Sequence, residues 1–168
     1  MARDRRTILI VYYSETGHTE AAVAALDRAL DATVERIAAP GLAGPAGFWS
    51  FVWRALSALA GIGATIEPPR HDPSGFDLVV LASPVWAGRV ATPMRGYLRR
   101  LGRRIGPVAY LVTRSGDGDG RAFADLAALT GQAGIARLAL SDIDRKQFRD
   151  AKKLADFAEA LNAALPPA

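Results

Sequence analysis

Apolar residues along this chain gather into short runs separated by polar stretches marked with glycine or proline. Thr7 to Tyr13 (TILIVYY), Phe76 to Ala82 (FDLVVLA) and Gly106 to Thr113 (GPVAYLVT) are nearly unbroken and rich in β-branched and aromatic residues. Runs of this kind predict strands covered on both faces. Ala32 to Ile37 predicts a weaker strand ending before Pro40-Gly41, and Ile135 to Leu140 (IARLAL) a fifth. Between them the period changes. Ala22, Val23, Leu26 and Leu30 recur at helical spacing after the first run. A second helix opens at Pro93, where proline suits the first turn. A third follows as RAFADLAALTG, and a last one covers about Lys146 to Ala164, before Pro166-Pro167.

Strands alternating with helices predict an α/β fold with a parallel sheet and helices on both faces, in three layers. Ligands of such sheets bind outside the carboxyl ends of the strands. Three polar loops, at 14–19, 83–88 and 114–120, fall at those ends. The length of 168 residues suits a single domain, 1–168, with an aromatic-rich crossover at about 42–66.

There is no cysteine, which excludes disulfides, thiolate metal sites and a thiol nucleophile. His18 and His71 are far apart, so no histidine metal site is expected either. Any redox function must then use a bound organic cofactor. Basic Met1 to Arg6 and the apolar run after it resemble the start of a signal peptide. That run is too short, however, and ends in a polar loop without a small-residue cleavage site. We read it as a first strand and expect a cytoplasmic protein. The net charge is +4, but the arginines are dispersed. The densest group, Arg99, Arg100, Arg103 and Arg104, has no interleaved aromatics. It suits a solvated helix end or an anionic partner, and gives no reason to expect nucleic acid.

Ser14-Glu15-Thr16-Gly17-His18-Thr19 supplies three hydroxyls, a glycine and a following helix N-terminus, the components of a phosphate site. It lacks the lysine of triphosphate loops. The alternative for this loop is a plain helix cap by Thr16. After an apolar strand, it resembles the T/S-x-T-G-x-T phosphate loop of the flavodoxin-like family. Ser83-Pro84-Val85-Trp86-Ala87-Gly88 resembles that family's second loop (T/S-P-x-W/Y-x-G), which runs beside the flavin ring. Trp86 either lies by the ring or packs its loop onto the sheet. Ser115, Gly116, Asp117 and Gly118 match the third flavin loop in position, or form an exposed turn. Asp117 and Asp119 depart from the family by adding negative charge.

The resemblance implies a doubly wound five-stranded parallel sheet of order 2-1-3-4-5 that holds FMN non-covalently at those three loops. A receiver domain is excluded, since Ser83 stands where its aspartate is required and Tyr12-Tyr13 where its acidic residues follow the first strand. A small tyrosine phosphatase needs cysteine. No residue reads as a nucleophile, an acid–base couple or a metal ligand set, so no catalytic side chain is assigned. Three functions follow: electron transfer through FMN, an NAD(P)H-dependent reductase of quinones or other flat aromatic molecules, and a non-redox interaction module. Carriers of this family are typically acidic, so the basic charge suits an anionic cofactor or an acidic redox partner better.

Gly47 to Ile66 is apolar almost all round, with Phe48, Trp49, Phe51, Val52, Trp53, Leu56 and Leu59. It is long enough for a bilayer span, but the chain must return to the same sheet, so no transmembrane span is expected. It reads instead as a crossover helix, or as an aromatic wall for the flavin site or a homodimer interface. His18 meets either a phosphate or solvent. His71 reads as a loop residue, Tyr97 as core, and Tyr12 and Tyr13 as pointing to opposite faces of the sheet.

Overall fold

A computed structural model describes residues 6–40, 63–116 and 118–165. The aromatic crossover, from 41 to 62, and Asp117 lie outside the described residues. The strands are β1 (Ile8–Tyr12), β2 (Thr33–Arg36), β3 (Leu78–Trp86), β4 (Arg89–Val90), β5 (Val108–Arg114) and β6 (Arg137–Ser141). The helices are α1 (His18–Leu30), α2 (Thr92–Leu101), α3 (Asp119–Thr130), α4 (Asp142–Lys146) and α5 (Asp150–Ala164). Five strands pair in the order β2-β1-β3-β5-β6, all parallel, as the flavodoxin-like arrangement requires.

Alternation along each strand sorts side chains to two faces. Leu9, Val11 and Tyr13 join Val79, Leu81, Met94, Tyr97 and Leu126 in one core, beneath α2 and α3. Ile8, Ile10 and Tyr12 join Leu78, Val80, Leu26 and Leu161 in the other, beneath α1 and α5. Tyr12 and Tyr13 thus face opposite ways, and Tyr97 is fully buried. Burial pushes the Tyr97 phenol far above its ordinary value, so it stays neutral.

Two boundaries differ from the sequence reading. Residues 83–86 are strand rather than loop, and β4 is a sixth strand, paired antiparallel to the end of β3. Pro84 argued against a strand because it has no N–H. Pairing with β1 ends at Ala82, while pairing with β5 continues to Pro84 opposite Thr113. Beyond β1 a residue without an N–H is tolerated. The expected last helix from Lys146 is also divided: α4 ends at Lys146 and α5 begins at Asp150.

Residues 63–76 lead back to β3 across the α2 face. Glu35 of β2, a buried carboxylate, accepts the Arg70 and His71 N–H groups at 2.8 and 3.0 Å and contacts His71 Nδ1 at 2.8 Å. Ala64 N–H donates to Thr92 O at 3.0 Å. A Cβ on Gly96 of α2 meets Ala64 O at 2.2 Å. Within a helix, Gly→Ala ordinarily gains about 1 kcal/mol. Here the overlap is with backbone, so Gly96→Ala is expected to destabilise by about 1–3 kcal/mol in denaturant unfolding. A stabilised variant contradicts this packing of the crossover on α2.

Candidate functional site

The carboxyl ends of β1, β3, β5 and β6 open onto one cavity of about 670 Å³. Its first wall is the start of α1. Gly17, at φ 86° in the left-handed region that favours glycine, precedes the helix, and no side chain caps it. The N–H groups of the first turn therefore stand beside the cavity, which His18 and Thr19 line. Thr16 lines it too but does not cap, which removes the plain-cap reading.

The three hydroxyls of this loop have separate tasks. Ser14 is buried, and its Oγ accepts the Gly17 N–H at 3.1 Å, so it shapes the turn. Thr19 is buried and shares a 2.8 Å hydrogen bond with Thr113 at the end of β5, tying the first loop to the third. Of these three, Thr16 alone is exposed on the cavity. Behind the loop, Arg36 Nη2 donates to Ser14 O at 3.0 Å and Nη1 lies 3.4 Å from Glu20. Glu20 also accepts the Tyr12 hydroxyl at 3.0 Å. Burial, and then that acceptor, raise the Tyr12 phenol above its ordinary value.

The second wall is the β3–β4 hairpin, with Pro84, Val85, Trp86, Ala87 and Gly88 on the cavity. Ala87 (φ 50°) and Gly88 (φ 75°) are both left-handed, as a two-residue hairpin turn requires. Alanine at the first of these costs about 1–2 kcal/mol of backbone strain. Trp86 lines the cavity and also packs edge-on against Tyr13, centroids 5.7 Å apart, so it packs its loop onto the sheet while facing the cavity. Ser83 is buried behind this wall, its Oγ accepting the Ala91 N–H at 3.3 Å.

An ion cluster fixes the hairpin to α3. Asp125 accepts the Val90 N–H at 3.3 Å and meets Arg95 Nη2 at 2.5 Å and Arg89 Nε at 3.1 Å. Arg95 is buried. Burial draws its guanidinium below the ordinary value, with Asp125 acting in opposition.

The third wall carries Thr113, Arg114, Ser115 and Gly116. Arg114 donates to Gly116 O and pairs with Asp119 at 3.7 Å. Gly118, also left-handed, leads α3 and is off the cavity lining. Of the sixteen expected site residues, Ser14, Gly17, Ser83 and Gly118 thus support the walls rather than line them, and Asp117 lies outside the described residues.

A fourth wall was missed. Leu140, Ser141, Asp142, Arg145, Asp150, Ala151 and Leu154 line the far side, with Ala21, Ala22 and Ala25 of α1. Its signal was present in Ser141-Asp142-Ile143-Asp144, a capping box at a strand end. Ser141 Oγ accepts the Asp144 N–H at 3.1 Å, and Asp144 accepts back from Ser141. The Lys153 ammonium, 2.8 Å away, and those Ser141 bonds hold the Asp144 carboxyl well below the usual range.

No protein-family model matches the chain, and no curated protein is similar to it in sequence. Solved structures are similar in fold. A flavoprotein from Lactobacillus acidophilus, crystallised in complex with FMN, is 22% identical with a TM-score of 0.71 over 85% of this chain and 98% of that one. A Fusobacterium nucleatum flavodoxin bound to flavin mononucleotide is 11% identical, TM-score 0.63, over 96% and 100%. A WrbA-like flavodoxin protein from Agrobacterium tumefaciens is 16% identical, TM-score 0.59, over 94% and 99%. At these identities the likeness is one of fold, and the fold of this chain is flavodoxin-like.

Removal of the Asp125 charge leaves two arginines without their shared counter-charge, one of them buried. Breaking a buried pair in this way costs about 3–5 kcal/mol, so Asp125→Asn is expected to lower stability by that order and to loosen the hairpin. Unfolding by denaturant measures the first, and amide exchange at Ala87 and Gly88 the second. An unchanged exchange rate contradicts the anchoring role.

Proposed function

We propose that this chain is a cytoplasmic redox protein that holds FMN non-covalently and passes electrons through it to a redox partner. One observation carries the reading. Residues from three separate strand ends, Thr16 and His18, Val85 to Gly88, and Ser115 and Gly116, line a single cavity beside the uncapped N-terminus of α1.

The residues present fit the group. A phosphate monoester is held by the N–H groups of the first turn of α1 and by the Thr16 hydroxyl, without a lysine. The thirteen-residue helix supplies its dipole there. Trp86 and Val85 give a ring system an apolar wall, and the left-handed Ala87–Gly88 turn presents backbone beside it. Gly116 lets the third loop approach without a side chain. Ser14, Gly17, Ser83 and Gly118 hold these walls in place, and Glu15 and Thr19 complete the first. Flavin, when bound, supplies one- and two-electron chemistry at its ring. The chain's share is to bind, orient and shield it, and no side chain is assigned a covalent or proton-transfer role.

A second reading, an NAD(P)H-dependent reductase of quinones or similar flat acceptors, is favoured by the fourth wall. The cavity continues past the three loops to Arg145 and the helix pair α1 and α5, leaving room beside the flavin region. The basic net charge agrees with an anionic nucleotide as donor.

Titration of the purified protein with FMN and then riboflavin, followed by flavin fluorescence, tests the proposal. Tight FMN binding with much weaker riboflavin binding is expected. Thr16→Ala removes a bond to a charged group, worth about 1.5–3 kcal/mol, and so lowers FMN affinity about ten- to a hundredfold while leaving riboflavin unchanged. Binding of neither ligand overturns the flavin reading in favour of an interaction module. Rapid NAD(P)H oxidation with a quinone acceptor selects the reductase over the carrier.

A further inference from the structure

The head of α1 carries a residue suited to closing it, and the fold turns that residue away. The first backbone bond of the helix runs from Ala21 N–H to Gly17 O at 2.9 Å, and Ser14 Oγ takes the Gly17 N–H. The N–H groups of His18, Thr19 and Glu20 precede that ladder, and no side chain caps the helix. Glu20 is the acidic residue of the first turn and stands third in the helix. A glutamate there ordinarily reaches back to the helix head, where the N–H groups and the dipole favour its charge.

Glu20 does otherwise. Helix phase starts its side chain on the side away from the cavity, which His18, Thr19, Ala21 and Ala22 line. Two partners from the sheet then fix its carboxylate there. Tyr12, buried at the end of β1, donates its hydroxyl to Glu20 Oε1 at 3.0 Å. Arg36 Nη1, from β2, lies 3.4 Å from the same oxygen. The other arm of that guanidinium, Nη2, donates to Ser14 O at 3.0 Å, so one cation holds both the loop backbone and the carboxylate. Glu20 and Arg36 are each about half-exposed, and ion pairs so placed add little to stability. The consequence lies in where the charge stands. A carboxylate at the helix head competes with a phosphate for the same N–H groups and repels it.

We propose that Tyr12 and Arg36 are positioning residues that hold Glu20 off the head of α1 and so keep its N–H groups open to the phosphate of a ligand, a role that rests on the flavin reading for that ligand. A loop without a lysine then takes its cation indirectly, since the sheet neutralises the helix's own carboxylate.

The test is titration of the full chain with FMN and with riboflavin, followed by flavin fluorescence. Tyr12→Phe/Arg36→Met frees the carboxylate. It is expected to lower FMN affinity about fivefold, the population shift that a helix cap of ordinary strength produces, and to leave riboflavin unchanged. Adding Glu20→Ala is expected to restore the wild-type FMN affinity. That rescue separates the two roles of Arg36, because Glu20→Ala cannot replace the lost bond to Ser14 O. Undiminished FMN affinity, equal losses for both ligands, or a loss that Glu20→Ala does not restore overturns the proposal. Amide exchange of the ligand-free protein is a second measurement and needs no flavin. Tyr12→Phe alone removes one hydroxyl from a retained ring, and it serves where the double variant does not fold. In either variant, exchange at His18, Thr19 and Glu20 is expected to slow as the carboxylate reaches them, and to recover at His18 and Thr19 with Glu20→Ala. Unchanged or faster exchange overturns the proposal. Wild-type protein that binds neither flavin overturns the flavin reading, and the positioning role is then decided by exchange alone.

Discussion

Parallel strands paired in register end at a common edge, and everything at this site depends on that constraint. Tyr12 lies opposite Ala82, and Pro84 opposite Thr113. Those pairings carry the first, second and third loops to one place from positions up to a hundred residues apart in sequence. The pairing is enforced by burial. β1, β3 and β5 are covered on both faces, and a slip of one residue moves each strand's side chains to the wrong core. Side chains then refine the edge. The Thr19–Thr113 hydroxyl pair locks the first loop to the third, and Asp125 draws the hairpin wall down onto α3.

The electrostatics at the first loop favour dipoles over charge. The Arg36 guanidinium is directed at the Ser14 carbonyl and at Glu20, and it helps to hold the loop from behind. On the proposed reading, an anion at the first loop meets N–H groups and the Thr16 hydroxyl. On that reading, such a site discriminates by geometry and penalises a ligand without a phosphate. The ion pairs at the other walls, Arg114 with Asp119 and Arg145 with Asp142, are internal and leave those walls close to neutral.

Much of this was legible in the sequence, for physical reasons. Strands buried on both faces read as unbroken apolar runs, and glycine before a helix marks a backbone conformation that other residues avoid. The alternation of strands and helices follows from those signals. The sheet order and the site roles of Thr16, His18 and residues 84–88 are instead what the resemblance of the loops implies; the structure has that order and places those residues on the cavity. What escaped depended on contacts between distant elements. Pro84 hid the last residues of β3, because a missing N–H matters only where a neighbour needs it. Ser14 reads as a ligand hydroxyl, but the Gly17 N–H already uses it. The fourth wall is formed where α5 meets α1, and Phe148 adopts a conformation that its own residue type opposes.

The most direct measurement is an amide ¹H–¹⁵N map of the protein with FMN and with riboflavin. The account predicts that FMN shifts the amides of Thr16 to Glu20 together with those of Ala87, Gly88, Ser115 and Gly116. Riboflavin is predicted to move only the latter four. Perturbation by FMN that leaves Thr16 to Glu20 unmoved contradicts the phosphate site at the head of α1, and with it the central claim.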